Sequence, residues 1–190
     1  IPSKKKNENV VFYADFTVAG MNMYSYDYTT YMEMYDENGY YVGSSTSTQR
    51  RRDLMYGLNI KIGSKFYFGP GEKKFRVGLD ANYLSLNLGL HNGDFGGIIP
   101  NLNLSVARPG VVLTFLLKEN MGFDFQLNGG LVLLISEYND TPFPILGYSI
   151  NPQIKYWYKN IGVGLEYNFG QFPNENIRYQ HFGLSFGLRF

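Results

Sequence analysis

The sequence predicts an all-β fold: an eight-stranded antiparallel transmembrane β-barrel with up-and-down meander topology. Three observations carry this expectation. Apolar and polar residues alternate with period two along most of the 190 residues, the pattern of strands with two unlike faces. No run of about 18 uncharged apolar residues occurs, so a helical span is excluded. The connections between alternating segments are long and short in turn, as in a barrel whose two rims face different compartments.

In the first strand, Val10, Phe12, Ala14, Phe16 and Val18 alternate with Val11, Tyr13, Asp15, Thr17 and Ala19. In the second, Leu54, Tyr56, Leu58, Ile60 and Ile62 alternate with Met55, Gly57, Asn59, Lys61 and Gly63. The third sets Phe75, Val77, Leu79, Ala81 and Tyr83 against Arg76, Gly78, Asp80 and Asn82. The fourth, within 101–117, changes parity. Leu102, Leu104 and Val106 share one parity, and Val111, Leu113, Phe115 and Leu117 the other, with Arg108-Pro109-Gly110 between them. Proline cannot donate to a ladder, so a bulge or bend is expected there.

The fifth strand alternates Met121, Phe123, Phe125 and Leu127 with Gly122, Asp124, Gln126 and Asn128. A weaker sixth runs from Tyr148 to Tyr158, with Asn151, Gln153 and Lys155 on its polar side. The seventh alternates Ile161, Val163, Leu165, Tyr167 and Phe169 with Gly162, Gly164, Glu166, Asn168 and Gly170. The last sets Phe182, Leu184, Phe186, Leu188 and Phe190 against His181, Gly183, Ser185, Gly187 and Arg189.

The polar rows separate a membrane barrel from a soluble sandwich. They hold Gly, Asn, Ser and Gln with a few charges of both signs, and no amphipathic helix is available to cover the apolar rows. A closed barrel in lipid needs this arrangement, apolar outside and small or polar inside. Bulk composition, at 44% hydrophobic and 17% charged residues, is ordinary. The 17 Tyr, 15 Phe and 22 Gly are not, and they fit tightly packed strands with unlike faces. A net charge of +1 argues against a nucleic-acid partner. With no Cys, disulfides and thiolate sites are excluded.

Long connections are expected over 24–50, 89–100, 136–146 and 171–176, and short turns at 69–72, 118–120 and 159–160. Residues 9–190 form a single barrel domain in this reading, with 24–50 as its long extracellular loop. An even strand number puts both termini on the short-turn, periplasmic side. Residues 1–8 are then a periplasmic tail whose Lys4, Lys5 and Lys6 face anionic headgroups. The start at Ile1 rather than Met fits a processed N-terminus.

Taken together, these segments resemble the OmpA/OmpX-type family of small outer-membrane barrels over nearly the whole chain. The most specific element is 181–190, whose Phe182, Leu184, Phe186, Leu188 and terminal Phe190 resemble the β-signal of outer-membrane barrels. The resemblance implies a Gram-negative outer membrane and the barrel-assembly machinery as a partner in biogenesis. The family's members serve adhesion, anchoring, lipid modification, proteolysis and complex assembly, so the fold does not select a function.

The inward row carries Asp15, Asp80, Asp124 and Glu166 against Lys61, Arg76, Lys155 and Arg189. Eight strands leave an interior that side chains can fill. Balanced charges there are expected to form ion pairs that plug the lumen, whereas a ring of one sign would suggest an ion path. His181, Ser185 and Glu166 are the residue types of acyl transfer. However, Ser185 lies in a regular strand rather than a strained nucleophile turn, and it faces away from lipid. His91, beside Asn92, Gly93 and Asp94, is too far from His181 to make a metal motif. No cofactor is implied.

In the first long connection, Asp36-Glu37-Asn38-Gly39 is a tight-turn signal between strand-like runs. The first two strands are therefore expected to continue past the membrane as a β-ribbon. It would carry Tyr24, Tyr26, Tyr28, Tyr31, Tyr35, Tyr40 and Tyr41 with Met21, Met23, Met32 and Met34. Aromatics and Met are favoured in interface cores, so Tyr28, Tyr31, Met32, Met34, Tyr35, Tyr40 and Tyr41 are the candidate contacts to another outer-membrane protein. Arg50-Arg51-Arg52 would lie at the outer rim, within reach of lipopolysaccharide phosphates.

The resulting expectation is a non-enzymatic barrel embedded in the lipid bilayer. It would serve as an accessory or structural subunit of a larger outer-membrane complex in transport, secretion or barrel assembly. The first alternative is an autonomous surface barrel for adhesion or ligand binding. A lipid-modifying enzyme and a narrow channel follow.

Overall fold

The computed structural model describes residues 9–68, 74–92, 98–136, 144–175 and 177–190, with side chains at 9–18, 30–49, 56–68, 74–90, 102–135, 144–174 and 177–190. The tail 1–8 and its lysines lie outside the described residues. The strands are β1 (Val10–Tyr35), β2 (Tyr41–Phe68), β3 (Phe75–Asn92), β4 (Ile98–Lys118), β5 (Met121–Ser136), β6 (Ile145–Tyr158), β7 (Ile161–Phe172) and β8 (Ile177–Arg189). Each pairs antiparallel with the next. β8 returns to β1, from Tyr13↔Arg189 to Ser25↔Arg178, and closes the barrel. The chain is an eight-stranded up-and-down barrel, the architecture of the small barrels that its sequence resembles.

Burial is inverted relative to a water-soluble fold. Lys65, Lys155, Asp124, Glu166, Asn59 and Asn151 are fully buried, while Phe12, Leu58, Leu79, Phe125, Ile150 and Phe186 are exposed on the outer wall. Lysine and carboxylates almost never occupy a protein interior unpaired. An exterior this apolar requires apolar surroundings, so the wall is the membrane-spanning part, with the strands paired to one another around the closed sheet. β6 shows the alternation, with Asn151, Gln153, Lys155 and Trp157 inside and Ile150, Pro152, Ile154 and Tyr158 outside.

Irregularities in three strands set which side chains reach the lumen. One extra residue in β1 falls between Ala19 and Asn22, against both neighbouring strands. In β3, Tyr83 and Leu84 both point outward and the parity changes, so Asp80 and Asn82 are followed inward by Ser85 and Asn87. In β4 the parity changes earlier than the Arg108-Pro109-Gly110 expectation. Val106 and Ala107 both face outward, Ala107 is in the left-handed region (φ 53°), and Arg108 is turned into the lumen. The β4–β5 register skips from Leu104 to Gly110, which spares Pro109 a ladder bond on that side.

A second proline is accommodated by a side chain. The β6–β7 register skips Asn151 and Pro152, and Asn151 Nδ2 donates to the carbonyl of Tyr167 (2.9 Å) where the proline has no N–H to offer.

The connections are shorter than expected at one rim. β3 and β4 remain paired to Asn92↔Ile98, so the loop placed at 89–100 is mostly ladder. β7 runs to Phe172 and is followed by a 3-10 turn, Pro173–Glu175. The region 24–50 is not an irregular loop. β1 and β2 stay paired from Tyr24↔Asp53 to Tyr35↔Tyr41 and form a ribbon. Paired backbone leaves fewer unsatisfied polar groups than an open loop of that length.

Candidate functional site

Two regions concentrate chemistry: the lumen and the ribbon. At the short-turn end of the lumen, Trp157 lies flat beneath Arg189 (3.8 Å to the ring centroid), with Lys65 and Lys155 at 5.1 and 5.3 Å. A buried indole face attracts cations, and three converge on it. Asp124 answers them, accepting from Lys65 Nζ (2.6 Å), Arg189 and Thr114 Oγ1 (2.7 Å). Lys155 Nζ pairs with Asp15 Oδ1 at 2.5 Å. Arg76 is half-buried at this rim, its guanidinium 4.0 Å from the Tyr67 ring. Val11, Tyr67 and Val112 form an apolar cluster beside it.

Glu166 occupies the middle. It accepts from Thr17 Oγ1 (2.5 Å), Asn59 Nδ2 (2.6 Å) and Asn151 Nδ2 (3.0 Å), and pairs with Lys61 Nζ at 2.9 Å. Lys61 also donates to Asn151 and Gln153. Asp80 accepts from Asn128 Nδ2 (3.0 Å). Towards the ribbon end, Asn87 Nδ2 donates to His181 Nδ1 (2.8 Å), and an apolar cap of Val132, Leu134, Phe172 and Tyr179 follows.

All eight charged residues singled out from the sequence thus lie on inward positions, Arg76 and Arg189 half-buried and the other six buried. Sequence reasoning omitted two. Lys65 continues the parity of Lys61 but follows Ser64, a polar residue on the outer face that interrupts the alternation. Ser64 is satisfied there by the Tyr83 hydroxyl, supplied by the β3 bulge. Arg108 enters through the β4 bulge. With them, the described lumen holds six cations (Lys61, Lys65, Arg76, Arg108, Lys155, Arg189) against four carboxylates (Asp15, Asp80, Asp124, Glu166). Among the described residues the interior therefore carries two more cations than carboxylates, His181 aside.

Ser185 and His181 are both fully buried and are held by other residues. Gln153 Nε2 donates to Ser185 Oγ (2.8 Å), while His181 Nδ1 is taken by Asn87. Among the described residues no hydrogen bond joins the two, and no group of three or more His, Asp or Glu is placed to hold a metal.

On the last strand, Phe182, Leu184, Phe186 and Leu188 lie on the outer wall, with Phe190 just beyond it. Phe186 faces Phe16 of β1, and Leu184 faces Val18.

The ribbon leaves the barrel where β1 loses β8 after Ser25 and β2 gains β3 at Tyr56. Tyr26 to Tyr35 then pairs with β2 alone among the described residues. Ten residues at about 3.3 Å each extend it about 30 Å past the barrel. At the tip, Asp36 Oδ1 accepts from the N–H of Asn38 (2.9 Å) and Tyr40 (2.8 Å), and Gly39 supplies the left-handed residue (φ 80°). Tyr31, Met32, Met34, Tyr35, Tyr40 and Tyr41 are exposed, Tyr40 at 71%. Tyr35 packs edge-on against Tyr41 and donates to Glu33 Oε2 (2.5 Å). That bond, more than desolvation, holds the Tyr35 phenol above its usual pKa. The facing arm is Gly43-Ser44-Ser45-Thr46-Ser47-Thr48, so Tyr31 lies opposite Thr46 and Met32 opposite Ser45. The side chains of Tyr28 and Arg50–Arg52 lie outside the described residues.

No protein-family model matches the chain. No curated protein matches it either. Among solved structures, Neisserial surface protein A aligns with a TM-score of 0.49 at 8% identity, over 96% of this chain and 97% of the other. Ail, the attachment invasion locus protein of Yersinia pestis, aligns with 0.43 at 12% identity, over 94% and 98%. A de novo designed transmembrane β-barrel aligns with 0.31 at 9% identity, over 90% and 97%. Likenesses at this level carry no functional inference.

Proposed function

We propose that the chain is a non-enzymatic barrel of a Gram-negative outer membrane, serving as an accessory or structural subunit of a larger transport, secretion or barrel-assembly complex. Its ribbon is the docking element. The observation that carries this is the ribbon itself. A lone two-stranded ribbon is marginal in water and gains stability when another surface covers it. This one presents rigid Tyr side chains, Met and short hydroxyl residues along free edges, a surface suited to strand addition or side-chain docking. The lumen, filled by ion pairs and capped by apolar clusters, leaves the rim as the working surface.

In this reading the ribbon end faces outward and the short-turn end faces the periplasm. Arg50, Arg51 and Arg52 meet lipopolysaccharide phosphates. The outward row Phe182, Leu184, Phe186, Leu188 and Phe190 is read by the barrel-assembly machinery. The partner in the finished state is another outer-membrane protein.

Gentle detergent extraction followed by mass spectrometry tests the docking. A stoichiometric partner that is lost when residues 28–42 are replaced by a two-residue turn supports the proposal. A partner that survives this deletion, or a chain that extracts alone, refutes it. A lone chain would favour an autonomous surface barrel acting through the same ribbon.

A further inference from the structure

Arg108 differs from the other cations of the deep lumen. Lys61, Lys65, Lys155 and Arg189 each pair with a carboxylate. Arg108 is 1% exposed, and its Nε, Nη1 and Nη2 have no hydrogen-bond partner among the described residues. A buried charge is strongly unfavourable unless something answers it.

The surroundings supply more donors. Arg108 lies against Gly130, where an added Cβ would sit 3.0 Å from its Cγ. Gly130 is in register with Ser149, Ser149 with Gly170, and Gly170 with Tyr179. The Tyr179 ring covers Gly170, within 1.8 Å of where a Cβ would be. Arg108 and Tyr179 thus approach Ser149 from opposite sides across two positions without side chains. Ser149 Oγ lies within hydrogen-bonding reach of the Tyr179 hydroxyl. One inward position along β8, His181 accepts at Nδ1, so its ring proton is on Nε2, which also has no partner. Asn82, level with Arg108 on β3, carries unpartnered amide atoms among the described residues and can turn its NH2 group inward.

We propose that this storey of the lumen binds a small monovalent anion of halide size against the Arg108 guanidinium, with His181 as a neutral donor. Buried donors without acceptors, beside an uncompensated cation, are the complement of an anion. The excess of cations among the described lumen residues points the same way. The packed side chains and the apolar cap above favour a single small ion. The bound ion would tie the stability of the barrel to halide concentration.

The test is thermal unfolding of the full chain, folded in neutral detergent, in sodium chloride against sodium gluconate at equal ionic strength. Chloride should raise the midpoint saturably. At ten times its dissociation constant, one-site linkage raises the folded-to-unfolded ratio about elevenfold. Arg108→Gln should abolish the difference between the salts. If this variant does not fold, chlorine NMR of the unaltered protein decides. Line broadening reversed by bromide supports the site, and a linewidth equal to that of detergent alone overturns it. Equal midpoints in the two salts, or a chloride effect that persists in Arg108→Gln, also overturn it, and water then satisfies the guanidinium.

Discussion

Replacing Glu166 by Gln tests whether the central ion pair holds the barrel together. The substitution keeps the shape of the side chain and removes its charge. Lys61, 2% exposed and 2.9 Å from that carboxylate, then keeps only amide oxygens of Asn151 and Gln153 at 3.2 and 3.3 Å. The new amide would also set its own NH2 among donors from Thr17, Asn59 and Asn151. Removing one member of a buried pair costs about 3–5 kcal/mol, chiefly because the survivor is left uncompensated. At about 1.4 kcal/mol per decade, the folding constant should fall by roughly two to nearly four orders of magnitude.

Lys61→Met in the Glu166→Gln background removes the stranded charge. The double variant should recover most of the loss, giving a coupling of about 2 kcal/mol or more in the cycle. Urea unfolding in detergent micelles, followed by tryptophan fluorescence from the single Trp157, gives both numbers. A Glu166→Gln variant within about 1 kcal/mol of the parent, or single losses that simply add, would refute the reasoning and mean that water already screens this pair.

Three further outcomes are expected. Trp157→Ala removes a fully buried indole and the ring shared by Arg189, Lys65 and Lys155. It should cost about 3–5 kcal/mol, and Trp157→Phe clearly less, read as urea midpoints by circular dichroism. Gly170→Ala places a methyl inside the Tyr179 ring. It should destabilise by about 1–3 kcal/mol, whereas Gly129→Ala, whose Cβ would meet nothing closer than 3.5 Å, should change the midpoint little. In planar bilayers the purified chain should give no large, steady, ion-selective steps, because charges of both signs cross the lumen and apolar clusters lie near its ends.

The strands and their faces were legible because lipid outside and polar groups inside impose the same period-two rule on every segment. What escaped were features that one residue can create. The pair Tyr83-Leu84 continues an apolar run on either parity, so the inserted outward residue of β3 leaves no mark on the pattern, whereas the β4 parity change showed in the sequence without naming the residue that makes it. These parity changes put Asn87 and Arg108 into the lumen, and the bulged Tyr83 makes an outward Ser64 tolerable. Proline in β4 was a sound warning: the β4–β5 register skips from Leu104 to Gly110 across it, with the parity turning at Val106–Ala107, just ahead of Arg108. The ribbon was legible from Asp36 to Gly39, where turn chemistry is local. Which acid meets which base was not, because those contacts depend on the curvature of a closed sheet.

The ion pairs have a consequence for how the barrel is made. Asp15 on β1 meets Lys155 on β6, Lys61 on β2 meets Glu166 on β7, and Asp124 on β5 meets Lys65 on β2 and Arg189 on β8. Each bridge spans two intervening strands. No isolated hairpin of this chain can therefore neutralise its own inward charges by these bonds, and a hairpin entering lipid alone would bring them in bare. The favourable route into the bilayer is a collective one, with the sheet nearly curled shut before its polar side loses water. A membrane barrel wired in this way resists being half inserted.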